Sequence, residues 1–237
     1  MNIKILYDNL SIGDEILAGW GFSCLVGERV LFDTGEEGRS LLGNMKKMKV
    51  EIADIKDIVI SHDHWDHIGG LETLLKKNKD VTVYGCKGFS SGLKDIINKR
   101  GVRLMESTLF SNITGNIFTT GSIKGAYKDS EIEEQSLVLK TTKGMSIVTG
   151  CAHPGIIKIV EQVKALFPQE KLYCVLGGFH MKDMSVKEMN VICEKLKHLG
   201  VQKAGPSHCS GEKAINLFKK RFGREFVQVV AGKTIEV

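Results

Sequence analysis

The sequence predicts a mixed α/β fold in which sheets are covered by helices. Apolar residues recur with a period of about 2 in some segments and about 3.6 in others, and the two patterns alternate along the chain. A strand-rich segment comes first and strands then mix with helices, a pattern that neither a helical bundle nor a pure β-sandwich shows. No Pro/Gly/Ser linker or short repeat divides the 237 residues. We therefore predict a single domain over residues 1–237.

The predicted elements follow from these periodicities and from local end signals. Strands are predicted at 2–7, 21–26, 29–33, 57–61, 81–85, 102–106, 135–140, 145–149, 171–176, 202–205 and 225–230. Helices are predicted at 36–48, 67–77, 87–99, 155–167, 185–198 and 210–222. Segment 107–134 is polar and poorly periodic, so it is predicted to be irregular, either as a functional loop or as a surface insertion.

Composition limits the classes of function. The net charge of +5 is dispersed over several helices, which favours solvated faces over a nucleic-acid surface. No apolar stretch approaches the roughly 20 residues of a membrane span, and the N-terminus lacks an apolar signal segment. We therefore expect a cytoplasmic protein with no membrane or nucleic-acid partner. The six cysteines form no CxxC pair and are expected to be free thiols.

The placement of the histidines carries the strongest functional signal. Six of the seven follow the ends of four predicted strands: His62, His64, His67, His153, His180 and His208. If those strands lie side by side, the imidazoles meet at one edge of a sheet. Imidazole is the commonest metal-binding side chain. His198 differs, because it lies in the last turn of a helix, where the helix dipole favours it.

The spacing within SHDHWDH (61–67) fits two ions. His62 and His64 are two residues apart at a strand end and can hold one ion, while Asp66 and His67 begin the next turn and can reach a second. Two divalent ions about 3.5–4 Å apart acidify a shared water and stabilise a developing negative charge. The sequence therefore predicts a metal pair rather than a polar loop.

The motif HxHxDH at 62–67 resembles the signature of the metallo-β-lactamase superfamily. LFDTG (31–35) also resembles that superfamily, and its Asp33 would accept a hydrogen bond from a ligand histidine. With GFSCLV, TGCAHPGI, LGGFHM and PSHCSG, the pattern is most similar to the branch of 7,8-dihydropterin-6-methyl-4-(β-D-ribofuranosyl)aminobenzene-5′-phosphate synthase. The resemblance covers about residues 3–232. It implies a four-layer αββα sandwich of two pseudo-duplicated halves, an α/β (α+β) fold.

The resemblance also implies a ligand set. The first metal would be held by His62, His64 and His153, and the second by Asp66, His67 and His208. The bridging carboxylate of many members is missing, because LGGFHM (176–181) contains no Asp or Glu. Either the bridge is only a water or hydroxide, or the second ion is held more weakly. His180 is then a further ligand, a proton donor or a hydrogen-bond donor to substrate, and we favour the acid–base or substrate role. Asp66 and His180 are the catalytic candidates.

Several other residues are candidates for the functional site, but each of them could also have a purely structural role. Cys151 and Cys209 flank ligand histidines, but packing is favoured over thiolate ligation. Asp63 is expected to cap a helix or support the site, and Trp65 to wall the pocket or join the core. Glu133–Gln135 could support the site or belong to a turn. Lys124 and Lys128 are anion-binding candidates whose simpler role is a solvated surface.

Three functions are compatible with these residues. The leading hypothesis is a metal-dependent hydrolase that attacks a phosphoryl or acyl centre of a small anionic substrate with metal-activated water. The second is a metal-dependent transferase that condenses a dihydropterin pyrophosphate with an aminobenzene ribose phosphate. The third is a non-enzymatic metal-binding domain, which the complete ligand set disfavours. Two divalent ions are expected, with zinc preferred to iron or manganese. The oligomeric state does not follow from the sequence.

Overall fold

The computed structural model describes residues 1–237. The chain divides into two compact units. Unit 1 contains Met1–Thr108 and Val230–Glu236, and unit 2 contains Leu109–Val229 and Val237. Each unit has its own sheet and helices, which confirms the mixed α/β class. That residues 1–237 act as a single domain stays a prediction.

Unit 1 is built on a seven-stranded sheet. Its strands are β1 (Asn2–Tyr7), β2 (Ser23–Val26), β3 (Val30–Phe32), β4 (Asp57–Val59), β5 (Thr82–Gly85), β6 (Arg103–Glu106) and the last strand of the chain, β15 (Thr234–Glu236). Its α-helices are α1 (Gly38–Lys47), α2 (Trp65–Ile68), α3 (Leu71–Leu75) and α4 (Ser91–Lys99), with a 3₁₀ turn at Ile52–Asp54. The spatial order of the strands is β15-β1-β2-β3-β4-β5-β6.

The second half of this sheet is parallel. Strands β3, β4, β5 and β6 pair in parallel, so their carboxyl ends lie along one edge. Phe32 is opposite Val59, which brings the residues that follow β3 and β4 together. Helices α1, α3 and α4 cover one face through apolar residues such as Leu41, Leu74 and Ile97. Burial of these apolar residues stabilises the sheet, and with it the edge where the HxHxDH motif follows β4.

Unit 2 contains a six-stranded sheet and a two-stranded hairpin. Its strands are β7 (Ser111–Thr114), β8 (Ile117–Thr119), β9 (Ile123–Tyr127), β10 (Ser130–Glu134), β11 (Leu137–Thr141), β12 (Gly144–Thr149), β13 (Leu172–Gly178) and β14 (Lys203–Ser207). Its α-helices are α5 (Ile156–Leu166), α6 (Val186–His198) and α7 (Gly211–Phe222), with 3₁₀ turns at His208–Ser210 and Gly223–Glu225. The large sheet has the order β14-β13-β12-β11-β8-β7, and β9 pairs with β10.

Strands β12, β13 and β14 are parallel neighbours joined through α5 and α6. The apolar stripe predicted for α5 is buried, and α6 begins with a capping box in which Ser185 and Glu188 bond each other's backbone N–H. Phe218 of α7 is fully buried beside Phe179 and Phe222. These helices pack on one face of the sheet and fix the carboxyl ends of its parallel strands.

The predicted helix 67–77 is wrong as a single element. It forms α2 and α3, which Gly69 and Gly70 separate. A Cβ at Gly69 would lie 2.0 Å from the Glu36 carbonyl oxygen, and one at Gly70 would lie 2.4 Å from that of Thr34. Only glycine therefore allows the loop after β3 to approach the HxHxDH motif so closely.

Two further predictions about the elements are corrected. The irregular segment 107–134 forms β7, β8, β9 and β10. Its polar residues hide the strand pattern because most positions of β7, β9 and β10 are exposed or half-buried. The strand predicted at 225–230 makes only one bridge, between Phe226 and Ala204, and the strand near the C-terminus is β15 instead. None of the helices combines the length and hydrophobicity that a membrane span requires.

Truncation of Phe218 tests whether the α7 core supports unit 2. Phe218→Ala should lower the free energy of unfolding by about 3–5 kcal/mol, because it opens a cavity beside two other phenylalanines. Urea titration followed by circular dichroism measures the loss. Val191→Ala on α6 is the control, since Val191 is 48% exposed and should cost little. Equal losses for the two variants would contradict this packing.

Candidate metal centre

The HxHxDH motif (62–67) covers the loop after β4 and the first three residues of α2. The side chains of His62, Asp66 and His67 are buried, and that of His64 is half-buried. His62 Nε2 lies 3.1 Å from His64 Nδ1, and His67 Nε2 lies 3.8 Å from Asp66 Oδ2. The donor atoms thus converge in the two pairs that the spacing suggested. Their role as ligands stays a prediction.

Asp33 fixes this turn from the neighbouring strand. It follows β3, has a left-handed backbone with φ 55°, and is fully buried. Its Oδ1 accepts from the Ser61 backbone N–H at 2.7 Å. Its Oδ2 accepts from Ser61 Oγ and from His67 Nδ1, both at 2.7 Å. The carboxylate therefore sets the orientation of the His67 ring, as the family resemblance of LFDTG implied.

In unit 2, His153, His180 and His208 follow three adjacent parallel strands. Thr149 pairs with Gly177 and Gly178 with Ser207, so β12, β13 and β14 end at one edge. The condition that all four strands lie side by side is met by β12, β13 and β14 only, because β4 belongs to the sheet of unit 1. The sequence shows that a histidine follows a strand, but it does not show which sheet the strand joins.

Glu134 organises the turn that carries His153. Its Oε1 accepts from the backbone N–H groups of Cys151 and Ala152 at 2.8 and 2.7 Å. Its Oε2 accepts from the backbone N–H and from Nδ1 of His153, both at 2.8 Å. The sequence offered this residue only within Glu133–Gln135. The only sequence signal for a supporting role of Glu134 was its position just before a predicted strand. Its partner His153, 19 residues away, is identified only by the folded structure.

Two donor groups lie within unit 2. In the first, the donor atoms of Cys151, His153 and His180 are all within 4.8 Å of one another. In the second, the same holds for Cys151, His208 and Cys209. Nδ1 of His180 is buried and makes no hydrogen bond. The unit thus gathers five nitrogen and sulfur donors at one sheet edge.

The β9–β10 hairpin borders these donors. The Tyr127 ring centroid lies 5.4 Å from that of His153 and 5.9 Å from that of His180. Gly125 touches the His153 backbone so closely that a Cβ there would be 2.5 Å from its carbonyl carbon. Tyr127 is a site residue that sequence analysis missed, because a single tyrosine in a polar segment carries no distinctive pattern.

Other candidates are placed as follows. Asp63 Oδ2 accepts from the backbone N–H of Ser90, the N-cap of α4, at 2.6 Å, so it supports a helix start. Trp65 is 61% exposed and is not part of the core. Lys124 forms an ion pair with Glu131 at 2.9 Å, whereas Lys128 lies over the Tyr127 ring.

Burial and hydrogen bonding shift the titration of the buried groups in different directions. Burial raises the pKa of Asp33, and its hydrogen bonds with His67 and Ser61 oppose this only in part. Burial would also raise the pKa of Glu134, but hydrogen bonds from His153 and from the Cys151 backbone hold that pKa below its usual value. A hydrogen bond with Cys209 raises the pKa of His180, against the effect of burial.

Comparisons with known proteins agree with the resemblance. The family model for the metallo-beta-lactamase superfamily matches residues 23–114. The 7,8-dihydropterin-6-methyl-4-(beta-D-ribofuranosyl)-aminobenzene-5'-phosphate synthase of Methanocaldococcus jannaschii is 32% identical, over 88% of this chain and 84% of its own length. The chain belongs to the metallo-β-lactamase superfamily. Members of this superfamily bind metal ions.

Solved structures show the same fold. The crystal structure of Tm1679, a metal-dependent hydrolase of the beta-lactamase superfamily, is 29% identical with a TM-score of 0.82, covering 100% of this chain and 99% of that one. The metallo-beta-lactamase fold protein YhfI from Bacillus subtilis is 13% identical with a TM-score of 0.72, covering 99% of each chain. The metallo-β-lactamase fold predicted from the motifs is thereby confirmed.

The donor set of this chain fits metal ions. Metal-binding histidines almost always donate their second ring N–H to a carboxylate, carbonyl or other acceptor, which fixes the tautomer. His67 and His153 each meet a buried carboxylate through Nδ1, and His62 Nδ1 is 2.9 Å from Ser61 Oγ. Nε2 is then the atom of each ring that a metal would bind.

Replacement of the supporting carboxylates should weaken metal binding without removing a ligand. Glu134→Gln and Asp33→Asn should each lower the affinity for zinc by about 10–100-fold, because the attached imidazoles lose their anionic acceptor. Competition with a chromogenic chelator measures the affinity. Glu131→Gln, an exposed position on the strand of Glu134, is the control. Unchanged affinity in the first two variants would contradict the orienting role.

Proposed function

We propose that this protein is a metal-dependent hydrolase of small anionic substrates, acting at a phosphoryl or acyl centre. The observation that carries the proposal is the buried carboxylate–imidazole pair in each unit, at 2.7 Å in unit 1 and 2.8 Å in unit 2. Such pairs fix the tautomer and the orientation of the imidazole, which leaves Nε2 free to act as the metal-binding atom. The proposed ligands are His62, His64 and His153 for one ion and Asp66, His67 and His208 for the other. Zinc is the preferred ion, ahead of iron and manganese.

The chain's own groups determine how the reaction would proceed. Two divalent ions supply an acidified water as nucleophile and offset negative charge on the substrate. The Asp66 carboxylate, buried beside His67, would orient the nucleophile and accept its proton. His180 would donate a proton to the leaving group, because its ring lies beside those of His153 and Tyr127 at the proposed centre.

The β9–β10 hairpin is the proposed substrate contact of unit 2. Lys124 is a poor anion receptor because Glu131 already neutralises it. Lys128 is exposed and lies 5.2 Å from the centroid of the Tyr127 ring, which itself borders His153. Lys128 would hold an anionic group while Tyr127 packs on an apolar or aromatic part of the substrate.

Removal of proposed ligands should abolish hydrolysis. His62→Ala and Asp66→Asn should each lower kcat/KM for phosphodiester or lactone substrates by at least about 100-fold, since each removes a metal ligand and Asp66→Asn also removes the proposed base. His198→Ala is the control, because His198 lies at the end of α6 and outside the donor groups. Hydrolysis that persists unchanged in both variants would rule out the proposed site.

His180→Gln tests the general acid. The loss in kcat should be about 10²–10⁴-fold for substrates with poor leaving groups and much smaller for nitrophenyl esters, which leave without protonation. Steady-state rates over a series of leaving groups measure this dependence. An equal loss for all leaving groups would assign His180 a binding or structural role instead.

A second candidate function is transfer rather than hydrolysis. The 32% identity with a synthase over 88% of this chain favours it. In that reaction an aromatic carbon of an aminobenzene ribose phosphate would displace pyrophosphate from a dihydropterin, and Tyr127 offers a packing surface for an aromatic ring. Incubation of the metal-loaded protein with both substrates should give a coupled product detectable by mass spectrometry. Release of pyrophosphate without coupling would instead support hydrolysis.

A further inference from the structure

Cys151 is the one side chain that belongs to both donor groups of unit 2. Its Sγ is within 4.8 Å of the donor atom of His153 in one group and of His208 in the other. The proposed function assigns these two histidines to different ions. We propose that the Cys151 thiolate bridges the two ions. This inference rests on the proposed function and adds a ligand to it.

The position of the usual bridging carboxylate carries no acidic residue in this chain. The end of β13 and the two residues after it are Gly177, Gly178, Phe179 and His180, with no acidic side chain. A Cβ at Gly178 would lie 2.7 Å from Cys209 Sγ and 3.1 Å from Cys151 Cα. The cysteines therefore occupy the space that a side chain at Gly178 would need. The loops after β12 and β14 supply the sulfur donors Cys151 and Cys209 at this edge.

Cys151 is held in place by the group that orients His153. Its backbone N–H donates to Glu134 Oε1 at 2.8 Å, while Oε2 of the same carboxylate accepts from His153 Nδ1 at 2.8 Å. Between them, Ala152 has a left-handed backbone with φ 60°. One buried carboxylate thus positions an imidazole and a thiol two residues apart.

Cys209 has a different set of contacts. It belongs to only one donor group, and its Sγ donates to the Cys151 backbone carbonyl oxygen at 3.6 Å. Cys209 is therefore a neighbour of Cys151 that does not join the two donor groups.

The chemistry of sulfur suits this position. When a divalent ion binds, the thiol gives up its proton to solvent and the sulfur becomes a thiolate. A thiolate has several lone pairs and can bind two ions at once. Thiolate ligands favour zinc and iron over manganese and magnesium. The bridge therefore narrows the metal preference of the site to zinc or iron.

Cobalt substitution and metal analysis of cysteine variants test the bridge. The wild-type protein loaded with cobalt(II) should show a near-ultraviolet thiolate-to-cobalt charge-transfer band, and loaded with zinc it should hold about two ions per chain. Cys151→Ala and Cys151→Ser should lose the band and bind the second zinc at least about tenfold more weakly. Cys209→Ala should keep the band. Cys193→Ala, a core thiol of α6, is the matched control and should behave as wild type.

The outcomes separate this inference from the proposed function. If Cys151→Ala and Cys151→Ser both keep the band and two tightly bound zinc ions, the bridge is wrong. A band that disappears only in Cys209→Ala also overturns it. Hydrolysis is measured on the same wild-type samples. Absence of hydrolysis with the band and both ions present would overturn the hydrolase and leave the bridge standing. Circular dichroism of each variant confirms that it is folded.

Discussion

The candidate centre depends on two carboxylates that are buried without exposure to water. Asp33 and Glu134 have 0% and 1% relative exposure. A buried carboxylate is costly unless hydrogen bonds replace its hydration. Asp33 accepts three hydrogen bonds and Glu134 accepts four, and in each case one donor is an imidazole Nδ1. The requirement to satisfy each carboxylate therefore fixes a backbone turn and a histidine ring together.

The two units meet this requirement by different routes. In unit 1, Asp33 and the HxHxDH turn come from neighbouring parallel strands, so the sheet register itself brings them together. In unit 2, Glu134 ends β10, a hairpin strand outside the large sheet, and reaches the turn after β12. The arrangement in unit 1 can be recognised in the sequence, because Asp33 follows the apolar run VLF (30–32) and SHDHWDH (61–67) follows the apolar run IVI (58–60). The arrangement in unit 2 cannot be recognised in this way, because the contact between Glu134 and His153 depends on where the β9–β10 hairpin packs in the fold.

This difference explains what could be predicted from the sequence. Strands such as β4 and β12 are buried apolar runs, and the α5 stripe has a clear helical period, so these elements were predicted correctly. The histidines after them were found for the same reason. Tyr127 was not singled out, and Glu134 was named only within Glu133–Gln135, because the β9–β10 hairpin is largely exposed and its polar residues show no alternation. The close approach of the backbone at Gly69 to that at Glu36 could not be predicted either, because it produces no periodic pattern in the sequence.

The backbone itself shows where this chain accepts strain. Six non-glycine residues have positive φ, and four of them, Asp33, Ala152, His180 and His208, lie just after β3, β12, β13 and β14. Each such conformation costs about 1–2 kcal/mol for a residue with a Cβ. A fold selected for stability alone would place glycine there. Three of the four carry a carboxylate or an imidazole, and the fourth separates Cys151 from His153. The strain is therefore concentrated where it directs donor groups, which is the pattern expected of a functional site.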